Sequence, residues 1–332
     1  MENKKENTMI YTLFKSTVII TGLSIAPAFA QTSITNCDTF INTNFQAQEK
    51  YILENDIDCA GSAINNPLDF RGELDGQGYT IRDLVIQSDQ RYTGLFSEII
   101  EAKIVNLRLE NITAKSSYRP LSFGVLAGVI RDSKLDNIEV ANSQLLASSL
   151  KISQGVGLVA GRITGSNNVS SISVNNSTLR VGEGSYIGSI FGYVQHSKLD
   201  KLKSQNNRVY IDADGRSSIG GLVGKATSTK INNSDVSDIL VSAPWADKAS
   251  VGILAGALVA TDIHGANLIR NSLDTRESSR HLSRGIVAGN IYDPQDSKAN
   301  PSLKNINYEG EESLDWFNAK EVVHTMNLNV ID

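Results

Sequence analysis

The chain has 332 residues, a formal net charge of −5 and two cysteines. Its mild acidity argues against a nucleic-acid partner, which calls for dense positive charge. Two cysteines with no histidine nearby do not make a zinc site, and 26 glycines with six prolines suit a turn-rich chain.

Residues 1–30 read as a signal peptide. Lys4 and Lys5 give a charged start, VIITGLSIA (18–26) an apolar core, and Ala28-Phe29-Ala30 an A-x-A cleavage pattern. Cleavage is expected after Ala30. The apolar core is short for a membrane span. The expected location is therefore exported: secreted, periplasmic or at the cell surface, with no transmembrane segment in the mature chain.

Residues 31–60 are expected to form an N-terminal cap and a first strand. CDTFINTNFQAQEK (37–50) predicts a short helix with Asp38 near its start, and YILENDIDC a strand. Export puts Cys37 and Cys59 in an oxidising compartment, so a disulfide is predicted. Closing this loop is worth about 3 kcal/mol by chain entropy. Alternation places Asp56 and Asp58 on one side of the strand; the expected role is structural or solvated. Asp69, Glu73 and Asp75 follow, with DGQG (75–78) as a tight-turn signal. A calcium site among these three is the alternative.

A repeat then organises residues 61–304. TGLFSE, FGVLAG, VGLVAG, IGSIFG, IGGLVG, VGILAG and RGIVAG carry leading glycines at Gly94, Gly124, Gly157, Gly188, Gly220, Gly252 and Gly285. The period is about 32 residues, which with strand-forming chemistry reads as a solenoid. Each unit has a second segment of alternating apolar and polar residues, such as KLDNIEVAN and NVSSISVNN, as in a half-buried strand. Asn111, Asn142, Asn176, Asn206 and Asp238 recur at one place after it. This suits a turn with left-handed backbone, and stacked asparagines can form a ladder. In the sixth unit Arg270 takes that place and Asn271 follows, so this coil is expected to be irregular.

Period-two alternation through the glycine-bracketed segments points Phe96, Leu126, Val159, Ile190, Leu222, Leu254 and Val287 inward. The other face (Val125, Leu158, Gly221, Ile253 and Ile286) is also largely apolar, and is either covered or a flat exposed surface. On this reading Val223→Ala costs much less than Leu222→Ala. The expected architecture is all-β: a single right-handed parallel β-solenoid of about seven coils, with N- and C-terminal caps. The C-terminal cap is assigned to 305–332, with a helix from Ser313 and apolar cover from Trp316, Phe317, Val322 and Val323.

YILENDIDCAG, LDGQGYTI (74–81), TGLFSEI and the repeated glycine units together resemble the bacterial GLUG-repeat proteins. The resemblance spans about residues 50–307. It implies a parallel β-solenoid in an exported or surface protein, often adhesin-like, and it carries no catalytic set. Glu98 stands where the first unit would have its second glycine.

No catalytic constellation stands out. His196, His264, His281 and His324 lack metal-ligand spacing, and His196 and His264 are assigned to solvated corners. No cofactor, metal or catalytic residue is expected. The segments before each leading glycine differ most between units, and should gather as loops along one edge, a common place for binding. The candidate contacts there are Tyr118, Trp245, Arg276, Arg280, His281 and Arg284. Tryptophan can stack on a sugar and arginine can pair with an acidic group. The function expected is a non-enzymatic, adhesin-like binding protein whose partner is a glycan or a protein on a host or neighbouring cell surface. The alternatives are a polysaccharide-active β-helix enzyme, marked by convergent carboxylates, and a structural protein that self-associates.

Overall fold

The computed structural model describes residues 31–116, 120–152, 154–212, 216–246, 248–275, 282–292, 301–310 and 325–330. The expected signal peptide and the helix from Ser313 lie outside these. The chain winds as a parallel β-solenoid, with 63% of the described residues in strands and 2% in helix.

One coil shows the plan. Lys134–Ala141 belongs to a first sheet, Gln144–Ile152 to a second, Gly155–Gly157 to a third and Ala160–Thr164 to a fourth. The chain then re-enters the first sheet one level on, at Asn168–Asn175. Every strand pairs in parallel with its counterpart in the neighbouring coil, Lys134 opposite Asn168 and Ala160 opposite Phe191. The third and fourth sheets each have seven strands, matching the seven glycine units. Seven strands have six spacings, so at about 4.8 Å each these two sheets extend about 29 Å along the rod. The first sheet continues past residue 305, through Ser302–Glu309 and Thr325–Val330.

The corners explain the polar repeats. Asn111, Asn142, Asn176, Asn206 and Asp238 all have left-handed backbone, with φ of 50–55°. Asn206 Nδ2 donates to Asn176 Oδ1 at 2.7 Å. The sixth coil is regular, contrary to expectation. Arg270 adopts the same φ of 49° and makes a two-pronged pair with Asp238 at 2.9 and 3.0 Å. Asn271 is not a displaced corner residue. It is buried one position on, where its Oδ1 accepts from the Ile239 amide and its Nδ2 donates to the Val236 carbonyl. Asn207 does the same two coils earlier, bonding Ser177 and Val174.

The glycine-bracketed segment is not one strand. It bends between the third and fourth sheets, so alternation does not hold across it. Leu222 and Val223 are both fully buried, as are Leu158, Val159 and Ala160. The expected inward column is buried, and the second apolar face is buried too rather than exposed. The glycines let the two sheets touch through their backbones. A Cβ on Gly161 would lie 2.4 Å from the Phe123 amide nitrogen and 2.6 Å from the Gly155 carbonyl oxygen. In the first unit the corner is one residue shorter: Phe96 pairs with Ala127 and Glu98 with Val129. Ser97, buried, therefore fills the glycine slot, and Glu98 forms an ion pair with Arg131 at 2.8 Å.

The N-terminal end is closed by a helix at Cys37–Asn42, with Asp38 in its first turn. Asn36 caps it, its Oδ1 accepting from the Thr39 amide at 2.8 Å. The Cys37–Cys59 disulfide is formed and ties this helix to the first coil, with a Cα separation of 5.1 Å. Phe45 packs edge-on against Phe40, Tyr51, Phe70 and Phe96, with centroids 4.9–5.8 Å apart. These rings cover core side chains that an open solenoid end would expose.

Candidate functional site

The variable segments all lie between a second-sheet strand and a third-sheet strand, and so share one edge of the rod. They are not all loops. Second-sheet strands extend through Gln144–Ile152 and Thr178–Gly184, leaving only Ser185 before Tyr186–Gly188. Farther along, residues 276–282 separate Ser272–Thr275 from Ser283–Gly285.

Trp245 stands on this edge, in the turn closed by the Ala246 amide donating to the Ala243 carbonyl at 3.1 Å. It is 61% exposed, so its ring is not packed against the rod. Arg284 is half-buried and belongs to a third-sheet strand, opposite Val251. Its Nη1 donates to Thr275 Oγ1 at 3.3 Å. Tyr118, Arg276, Arg280 and His281 lie outside the described residues.

The N-terminal carboxylates do not converge. Asp58 takes two hydrogen bonds from Arg82, at 3.0 and 3.2 Å, and one from the Ala60 amide at 2.9 Å. The Ala60 bond, then the guanidinium, hold its carboxyl below the ordinary range. Asp56 Oδ1 accepts from the Thr80 amide, and Asp75 Oδ1 from the Gln77 amide and Asn106 Nδ2. Asp69 accepts from Ser97 Oγ, and Glu73 from Lys103 Nζ. Each is tied to its own neighbour. Among the described residues no group of three or more metal-capable side chains occurs. His196 sits exposed at a corner with φ of 55°. His264 is also exposed, but within the strand Asp262–Ile269 rather than at a corner.

Sequence reading missed a cluster beside this edge. Tyr186 and Tyr193 stack with centroids 5.0 Å apart. Lys225 lies over the Tyr186 ring at 5.2 Å, and Arg162 over Tyr193 at 5.5 Å. Arg162, Tyr193 and Lys225 are register partners in the fourth sheet. The signal was present: each follows the second glycine of its unit, at Gly161, Gly192 and Gly224. Read along one coil, that position shows a lone residue; read across coils, it is a column.

Among the described residues no helix is long and apolar enough to cross a membrane. No family model matches the chain, and no curated protein matches it. Among solved structures it is similar to a "putative immunoglobulin A1 protease" from Bacteroides ovatus, at 15% identity and a TM-score of 0.49, covering 79% of this chain and 82% of that one. It is also similar to the catalytic domain of a GH87 α-1,3-glucanase in complex with tetrasaccharides, at 8% identity and a TM-score of 0.21, covering 92% and 68%. At these levels neither likeness assigns an activity to this chain.

Proposed function

We propose that this chain is an exported, adhesin-like protein of the GLUG-repeat kind that binds without catalysis. Its partner is a glycan or protein on a host or neighbouring cell surface. The contact is the edge where the second sheet passes to the third. The observation that carries this reading is Trp245, a large aromatic side chain left 61% exposed in a turn on that edge. Such a ring offers apolar area and an N–H donor to a partner at little entropic cost. The disulfide agrees with an oxidising location, and the separately paired carboxylates support a non-catalytic role.

The test is a glycan and extracellular-matrix array probed with the purified chain, with any glycan that binds then incubated and examined by mass spectrometry. Saturable binding with the glycan left intact is expected. Shortened glycan would overturn the non-catalytic reading, and no binding on any element would overturn the adhesin reading.

A further inference from the structure

Two outward columns run side by side where the third and fourth sheets meet. In the third-sheet column Tyr186 is followed, coil by coil, by Ser218, Ser250 and Ser283. In the fourth-sheet column Tyr193 is followed by Lys225, Ala257 and Asn290. The third-sheet column turns small at Ser218, and the fourth-sheet column one coil later at Ala257. The result is an open depression of about 550 Å³ over Ala257. That volume falls in the range of small-ligand sites, roughly 300–1,000 Å³.

Among the described residues, the charged groups of the lining are all positive. Lys225 stands on one wall, and Arg216 and Lys248 line the depression from two of the edge segments. No carboxylate lines it among the described residues, although the whole chain carries −5. Tyr186 is already engaged by Tyr193 and Lys225, so its part is to hold the ammonium in place. Tyr292, on the far wall, is 49% exposed, and its hydroxyl accepts from Asn290 Nδ2 at 2.9 Å. Its ring is a fixed apolar platform. Ser218 and Ser250 add hydroxyls that can both donate and accept.

We propose that this depression binds an acidic saccharide. The carboxylate or sulfate lies among Lys225, Arg216 and Lys248, the sugar ring rests on Tyr292, and its hydroxyls meet Ser218 and Ser250. The inference rests on the adhesin reading and adds, beside that edge, a site with its own ligand class. A short saccharide meets only the local positive field, whereas a long polyanion such as a nucleic acid must approach an acidic chain.

Calorimetric titration of the purified chain tests this with four probes: an oligogalacturonate, a heparin oligosaccharide, an uncharged maltotetraose and a single-stranded oligonucleotide. At least one acidic saccharide should bind, more weakly as salt is added, and maltotetraose and the oligonucleotide should not. Lys225→Gln and Tyr292→Ala should each weaken that binding about tenfold or more, with circular dichroism unchanged. Trp245→Ala should weaken it less than threefold. Failure of both acidic saccharides to bind, equal binding of maltotetraose, or preference for the oligonucleotide overturns the proposal. So does acidic-saccharide binding that survives both depression variants. An array ligand lost only with Trp245→Ala would leave the adhesin reading intact and sink this site alone.

Discussion

Gly188 and Gly224, on successive coils, face each other so closely that a Cβ on Gly188 would lie 2.6 Å from the Gly224 amide nitrogen. A Cβ on Gly224 would in turn lie 2.3 Å from the Ile187 nitrogen and 2.5 Å from the Gly192 carbonyl oxygen. These neighbours are backbone atoms held in ladders on both sides, and they cannot step aside as a side chain can. Gly224→Ala should therefore destabilise by about 3 kcal/mol or more, at the upper end of overpacking costs. Gly184→Ala, whose Cβ would meet only the Ile187 and Val181 side chains at 3.0 Å and beyond, should cost far less. Urea melts of the two variants check the difference.

Leu222→Ala and Val223→Ala should both be costly, because both side chains are fully buried. About 2–5 kcal/mol is expected for the leucine and about 2 kcal/mol for the valine, which loses two carbons and leaves a cavity. Denaturant melts that showed Val223→Ala to be neutral would place that face in solvent.

Replacing Cys37 and Cys59 together by alanine should lower stability by about 3 kcal/mol, since the unfolded chain is released from a closed loop. Peptide mass mapping without reductant should recover the linked Cys37 and Cys59 peptides from the wild-type chain.

Acid should weaken the Arg82–Asp58 tie. Asp58 has a folded pKa below its unfolded value, first from the Ala60 amide and then from Arg82. Its contribution is present above the ordinary carboxylate range and is lost as pH falls through the lowered folded value. Both side chains are about half exposed, so the effect is small. Melting temperature followed from pH 6 to pH 2 should fall less steeply in Asp58→Asn than in the wild type.

The repeat was legible because each column recurs at the spacing of a coil. The corner asparagines, the seven glycine units and the disulfide all followed from residue type and position. Val223 was misassigned because period two holds only along an unbroken strand, and a bend interrupts this one. Asn271 looked like a slipped Asn206, yet it fills the inner place of Asn207, a distinction that depends on which hydrogen bonds the corner makes. Residues 147–152 looked like a loop because they vary between units, but a strand can lengthen within a sheet. The ring stack at Tyr186 and Tyr193 and the depression beside Lys225 stayed hidden for a different reason. Their parts are separated by whole coils in sequence, and winding alone brings them together.

The central claim is that binding lies on the edge carrying Trp245. Its most direct test compares three forms of the chain against an array ligand whose binding Lys225→Gln and Tyr292→Ala leave unchanged. One form is wild type and one carries Trp245→Ala with Arg276→Ala, Arg280→Ala and Arg284→Ala. The third carries Lys134→Ala, Lys198→Ala and Lys230→Ala, all exposed on the first sheet. The account predicts at least tenfold weaker binding for the edge variant, with the first-sheet variant unchanged. Equal losses in both variants, or none in the edge variant, would contradict it.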